Sequence, residues 1–340
     1  MNDLPGLFDN LDIEISEEDF VVDQTANTPV RGNVSRATTN QDFKIDPGKL
    51  ARASSLRFIS FGSGSSGNCA YLGVDTGEGS ATGILIDAGV EPDVVYGGLR
   101  DNKIDIKKIS GILITHDHGD HVKYAYNIVR NNKHMVIYTT MRTMMGILRR
   151  HSISRRIKDY HKIIYKEFEF NAGGFVITAF ETSHDGTENV GYAINTPDGT
   201  HHFVIATDTG RITERADFYL RNANYIVIES NYDLHKLMTG PYPEYLKARI
   251  VSERGHLDNT VAADYIKSIV SPRLSHVFLC HLSEENNTPQ IAMTVMRDAL
   301  LAKGLRIADP ANPLMRDDTD IALAVLPRSN VSTQFILRHK

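Results

Sequence analysis

From residue 56 onward, short apolar runs rich in β-branched residues alternate with longer segments whose apolar residues recur every three or four positions. The first kind predicts strands and the second helices, because side chains alternate across a strand and return to one helix face every 3.6 residues. Strands are predicted near 57–61, 83–87, 111–115, 135–139, 163–170, 174–181, 190–195, 202–207, 225–229, 276–280 and 322–326. Helices are predicted near 91–101, 121–131, 140–150, 213–220, 242–251, 258–270 and 288–302. This interleaving predicts an α/β fold of two facing sheets with helices outside, an arrangement that collects strand ends in one place. Residues 1–54 break the pattern. Asn2–Phe20 is acidic and sparsely apolar, and Asp23–Leu50 is rich in Thr, Asn, Asp and Gly, so little apolar surface offsets the entropy of ordering. The expected division is an N-terminal extension without fixed structure, 1–54, and one folded domain, 55–340. Leu4, Leu7, Phe8 and Leu11 fall at helical spacing, which suits a short helix docking on a protein partner.

Several predicted strands end in residues that bind metals. The run Ile112-Leu113-Ile114 passes into Thr115-His116-Asp117-His118-Gly119-Asp120-His121. Imidazoles and carboxylates hold borderline divalent ions, and a strand end aims alternate side chains into one cavity. His116 and His118 are expected to point the same way, while Asp120 and His121 start the next turn and can serve a second ion. Similar endings place Asp87 after 83–86, His184 after 174–181, Asp208 after 202–207 and His281 after 276–280. Any one of these is an ordinary turn residue; their recurrence at strand ends suggests ligation.

Composition narrows the setting. The formal net charge of −5 is not that of a general nucleic-acid binder. Basic residues nevertheless cluster locally: Arg142, Arg149, Arg150, Arg155, Arg156, Lys158 and Lys162 in one stretch, and Lys236, Lys247, Arg249 and Arg254 in another. Either could track a phosphate backbone. No segment approaches the roughly twenty apolar residues of a membrane span, and Cys69 and Cys280 form no spaced motif, so a reducing, cytoplasmic setting is expected. Gly62-Ser63-Gly64-Ser65-Ser66-Gly67-Asn68 lacks the Lys and Ser or Thr of a nucleotide-binding loop. It reads as a tight turn from which Ser65, Ser66 or Asn68 can reach a phosphate.

The ordered set Asp87, His116-x-His118-x-Asp120-His121, His184, Asp208 and His281 resembles the metallo-β-lactamase superfamily of binuclear hydrolases. The glycine-rich turn resembles its YycJ/WalJ-like branch, as do Glu229-Ser230-Asn231-Tyr232-Asp233, Gly240-Pro241-Tyr242-Pro243, Arg254-Gly255-His256-Leu257 and His281-Leu282-Ser283-Glu284-Glu285-Asn286-Asn287. The resemblance covers about residues 56–335. It implies an αββα sandwich, two divalent ions of zinc or manganese, and a DNA exonuclease working from the 5′ end in DNA repair or processing. It further implies that His116, His118 and His184 hold one ion, that Asp120, His121 and His281 hold the other, and that Asp208 bridges them. Asp87 would orient a ligand. Asp120 and His256 would carry catalytic roles, His256 beside the scissile phosphate without holding metal. Asn231, Tyr242, Arg249 and Arg254 join Ser65, Ser66 and Asn68 as expected substrate contacts. A small-molecule phosphodiester or thioester hydrolase of the same fold is the alternative. The interval from Asp208 to His256 is too short for the inserted domain of RNA-processing β-CASP enzymes, and no flavin domain fits in the chain.

Overall fold

Runs that are apolar on both faces need cover on both sides, and this chain provides it by packing two sheets together under outer helices. The computed structural model describes residues 55–74, 82–311 and 320–338. The expectations for residues 1–54 lie outside these. The strands are β1 (Leu56–Gly62), β2 (Cys69–Val74), β3 (Thr82–Ile86), β4 (Ile109–Leu113), β5 (Val136–Thr139), β6 (His161–Ile163), β7 (Glu169–Ala172) and β8 (Phe175–Glu181). They continue with β9 (Val190–Asn195), β10 (His202–Ala206), β11 (Tyr225–Glu229), β12 (His276–Cys280), β13 (Ile307–Ala308), β14 (Ile321–Val325) and β15 (Phe335–Leu337). One sheet runs β15-β1-β2-β3-β4-β5-β6 and the other β13-β14-β12-β11-β10-β9-β8-β7.

The central layer is aromatic and aliphatic: Phe58 packs 5.2 Å from Phe203 and 5.0 Å from Phe278 by ring centroids, with Leu72, Phe175, Tyr192 and Tyr225 buried around them. Outside the first sheet, the helices Pro92–Asp101, Ala125–Asn131 and Met141–Arg150 cover Ile59, Leu85, Ile112 and Ile137. Outside the second, Glu214–Leu220, Asn259–Ile269 and Pro289–Leu301 cover Val204, Ile226, Ile228 and Leu279. Thr140, Thr213, Asp258 and Thr288 start four of these helices by accepting hydrogen bonds from first-turn amides.

β3 and β4 are parallel neighbours, as are β10, β11 and β12. β8 shares their direction because β9 runs antiparallel to both β8 and β10. The carboxyl ends of these strands therefore gather at one edge, the usual place for a ligand in such sheets. The two sheets are tied there: Tyr192 Oη donates to the Ile114 carbonyl at 2.6 Å, and the Val190 amide to the Thr115 carbonyl at 3.0 Å.

The bounds expected for β9, β11 and β12 coincide with those observed. The single strand expected over 163–170 is two, β6 and β7, parted by a turn in which Glu167 is left-handed (φ 66°). The helix expected over 121–131 is also two, Gly119–Val122 and Ala125–Asn131. The Asp120 carbonyl is taken by the Asn68 amide at 2.8 Å, and the Tyr124 amide goes to Ala88 at 2.9 Å instead of continuing the turn. β2, β13, β15 and the helix Leu234–Thr239 were not expected. β2 is buried along its whole length, so it lacks the alternation that marks a half-exposed strand.

Among the described residues, no helix is long and apolar enough to cross a membrane.

Candidate metal centre

Each expected metal-binding residue, and Asp87 expected to orient one of them, lies just beyond a strand at the common edge. Asp87 follows β3, and His116, His118, Asp120 and His121 follow β4. His184, Asp208 and His281 follow β8, β10 and β12 of the facing sheet. The chain must turn sharply there. Asp87, Asp208 and His281 all take left-handed backbone, with φ of 59°, 50° and 54°, an uncommon conformation for residues with a Cβ that often marks function. Gly89 allows the β3 end to meet the histidine loop, since a Cβ there would lie 1.6 Å from the Asp120 carbonyl oxygen.

Four overlapping groups of donors result: His116, His118, His184; His116, His121, Asp208; Asp120, His121, His281; and Asp208, Glu229, His256, His281. His118 Nδ1 lies 3.2 Å from His184 Nε2. On the other side, His281 Nε2 is 3.4 Å from Asp120 Oδ2 and His121 Nε2 is 3.5 Å from the same oxygen. Asp208 stands between the groups, with Oδ2 3.3 Å from His121 Nε2, and Oδ1 3.4 Å from His281 Nε2 and 3.8 Å from His184 Nε2.

Outer partners hold the rings. Asp87 Oδ2 is 2.7 Å from His121 Nδ1, and the same carboxylate accepts from the Thr115 amide and hydroxyl. With Nδ1 held by Asp87, Nε2 is the His121 nitrogen turned toward Asp208. His184 Nδ1 donates to the Gly255 carbonyl at 2.9 Å. Glu229 Oε1 lies 2.6 Å from His256 Nδ1 and 3.2 Å from His281 Nδ1. Asp117, fully buried between two of the histidines, accepts from the Thr187 amide (2.9 Å) and hydroxyl (2.5 Å) and pairs with Arg150 at 3.2 Å.

The electrostatics divide the centre in two. Burial and neighbouring histidines push His118 down to about 4 and hold His116 well below its ordinary range; burial likewise lowers His184. Burial also opposes charge on His281 and His121, but Asp208 and other carboxylates outweigh it, lifting His281 to about 10 and His121 in the same direction. Burial works against ionised Asp208, yet His281 and His121 hold its carboxyl well below the usual range. The same contest leaves Asp120, Asp185 and Glu229 lowered, the last two chiefly by Arg249 and by His256.

The expected substrate contacts divide as well. Ser65 and Ser66 are exposed on the turn after β1, and Tyr242 is half-buried. Asn68 is buried, and its side-chain amide lies 3.0 Å from His121 Nε2 and 3.2 Å from Asp120 Oδ2. Asn231 is buried and donates to the His281 carbonyl at 2.7 Å. Arg249 pairs with Asp185, and Arg254 Nε donates to the His184 carbonyl at 3.2 Å. Of the other basic residues, Lys247 is buried on the Met238 carbonyl, Arg149 reaches Thr187 and Arg156 reaches Asp159. Sequence reasoning gave no role to Asp117, Asp185 or Ser63, whose hydroxyl accepts the His281 amide at 3.0 Å. It noted Glu229 only within a motif. A carboxylate at the end of an apolar strand was the available signal for Glu229; the other three carried none.

The donor set fits divalent cations. His116 Nε2 is closed to solvent and makes no hydrogen bond, and it lies with His118 and His184 in one group of imidazole nitrogens whose charged forms burial disfavours. A cation satisfies such a set.

An αββα sandwich with His-x-His-x-Asp-His at a strand end defines a hydrolase class, and the family model for the β-lactamase superfamily domain matches residues 82–281. The chain belongs to the metallo-β-lactamase superfamily, in its YycJ/WalJ-like branch. It is 30% identical to the exodeoxyribonuclease YycJ of Bacillus anthracis over 75% of this chain and 92% of that one. It is 29% identical to the exodeoxyribonuclease WalJ of Streptococcus pneumoniae, over 74% of this chain and 91% of that one. Among solved structures, the metallo-β-lactamase fold protein YhfI of Bacillus subtilis superposes with a TM-score of 0.55 at 14% identity, covering 82% of this chain and 99% of that one, a likeness of fold. The chain is thus a hydrolase of this superfamily, whose fold implies divalent metal.

Proposed function

We propose that this chain is a binuclear metal-dependent phosphodiesterase that shortens DNA from the 5′ end. One observation carries the reading: the Asp208 carboxylate lies within 3.8 Å of His184 on one side and within 3.4 Å of His121 and His281 on the other, as a bridging ligand must. His116, His118 and His184 would hold one ion, and Asp120, His121 and His281 the other, with Asp87 orienting His121. Zinc and manganese both suit these donors. Such ions supply Lewis acidity and bring a water within reach of ionisation near neutral pH.

The protein's own groups do the rest. Asp120, ionised and fastened by Asn68, is placed to orient a water beside His121 and His281. Glu229 accepts the Nδ1 proton of His256, so Nε2 is the nitrogen that can hold or give a proton at a leaving oxygen. His256 keeps about a fifth of its side-chain surface exposed, whereas the histidines beside Asp208 are almost closed, which suits a residue that meets substrate. The exposed Ser65 and Ser66 and the half-buried Tyr242 are assigned to the DNA strand, as are the exposed Arg142, Arg155 and Lys158. DNA as substrate and the 5′ polarity rest on the relatives named exodeoxyribonucleases and on the branch's motifs. The free, buried Cys69 and Cys280 agree with action in the reducing cytoplasm. Residues 1–54 take no part in the chemistry, and a protein partner is their assigned role.

The test is cleavage by zinc- or manganese-loaded protein of end-labelled linear DNA, closed circular DNA, RNA and small phosphodiesters or thioesters. Loss of 5′ label from linear DNA with circles intact is expected, with the same rate after deletion of 1–54. Turnover of small esters without DNA cleavage would replace this reading by a small-molecule hydrolase.

A further inference from the structure

Asp185 follows His184 and belongs to none of the donor groups described above. Its Oδ1 lies 3.3 Å from His118 Nε2 and 3.5 Å from His184 Nε2, is closed to solvent and makes no hydrogen bond. Its Oδ2 is gripped by the Arg249 fork, with Nε at 2.7 Å and Nη2 at 2.6 Å. Both guanidinium nitrogens converge on this one oxygen, a charge-assisted grip that leaves Oδ1 free to face the histidines. Arg249 sits on the helix Glu244–Val251, remote in sequence from both histidines, so the grip ties that helix to the loop after β8.

A divalent ion among three neutral imidazoles would meet only one anionic ligand, the shared Asp208. The companion half holds Asp120 as well, with Glu229 and Asp87 behind its histidines. We infer that Asp185, held by Arg249, is a positioning residue that orients His118 from behind and places an anionic oxygen beside the His116/His118/His184 half, and thereby sets its affinity and metal preference. Carboxylates placed behind ligating histidines orient the rings and raise ligand basicity, and their loss costs about 10–100-fold in metal affinity. An added oxygen also shifts a nitrogen-rich site toward harder ions, so manganese depends on Asp185 more than zinc does. Arg249, expected from sequence at the substrate, acts in this account through Asp185.

This inference rests on the binuclear reading, and one experiment separates their failures. Full-length Asp185→Asn, Asp185→Glu, Arg249→Ala and His116→Ala would be titrated with zinc, manganese and cobalt against a chromophoric chelator, recording cobalt absorption and the thermal midpoint of each metal-free protein. Asp185→Asn is expected to weaken one of two sites by about 10–100-fold, more for manganese, with an altered cobalt spectrum and an unchanged metal-free midpoint. Arg249→Ala should do the same to a smaller degree, and Asp185→Glu should recover part of the loss. Unchanged affinity and spectrum in Asp185→Asn, with a site lost in His116→Ala, would overturn the inference alone. Unchanged stoichiometry in His116→Ala would overturn the reading beneath it.

Discussion

His118 and His281 stand at strand ends of opposite sheets and face one shared carboxylate neighbourhood, yet burial and fellow histidines push the first down to about 4 while Asp208 and Asp120, against burial, lift the second to about 10. One half of the centre is a nest of neutral rings, and the other is a lattice of ion pairs. The second half can satisfy itself: Asp120, Asp208, Glu229 and Asp87 all lie within 3.5 Å of His121 or His281. The first is less satisfied, since His116 Nε2 has no hydrogen bond, His118 Nδ1 faces His184, and Asp185 meets the outer side of His118 at 3.3 Å. A fold can thus gather adjoining groups of the same residue types and still give them different electrostatics.

The contrast would break most visibly at Asp208. Asp208→Ala should abolish turnover and release metal from both halves, because its two oxygens serve both; retention of one tightly bound ion would show that the halves are independent. Asp120→Ala should cost only the second ion. Next in size, His256→Ala should slow single-turnover cleavage by roughly a hundredfold or more, the scale of a lost acid–base group, with metal stoichiometry intact. Glu229→Gln should reproduce part of that loss. His281→Ala should lose an ion as well as rate; the opposite pattern, metal lost in His256→Ala and kept in His281→Ala, would reverse the two assignments.

Acidification should separate the halves. Histidines bind metal as neutral rings, so an ion entering the second half must displace protons that His121 and His281 hold readily, whereas the rings of the first half are already bare. As pH falls from 8 to 6, metal analysis should show the second half emptying first; equal release would mean that the carboxylates do not govern it. The smallest effect is expected far from both. Glu167, held below the usual carboxylate range by its hydrogen bond from Arg215, contributes stability above its unfolded pKa that is lost as pH falls through the folded value. Glu167→Gln should therefore cost less than about 1 kcal/mol at pH 7 in urea unfolding, a difference that should vanish in strong acid, with no change in metal.

Much of this was legible along the chain. A strand announces itself by apolar residues at period two or in a closed run, and its end by the polar residues that follow, so β4, β8, β10 and β12 and the histidines and aspartates after them could be placed from sequence alone. β2 escaped because it is covered on both faces, and the break at Lys123-Tyr124 escaped because its cause, Asn68 on the Asp120 carbonyl, lies 52 residues away.

The sequence by itself determined which residue types could bind metal and on which strand ends they stand, because those follow from local periodicity and donor chemistry. Only the tertiary structure decided what each group faces. It turned Asn68 and Asn231 inward to the histidines and aspartates, joined Arg249 to Asp185 and Glu229 to His256, and crowded more carboxylates around His121 and His281 than around His116, His118 and His184. Charge state and hydrogen-bond partnership depend on distance through space, and a chain that folds two sheets together brings into contact residues whose separation in sequence carries no record of it.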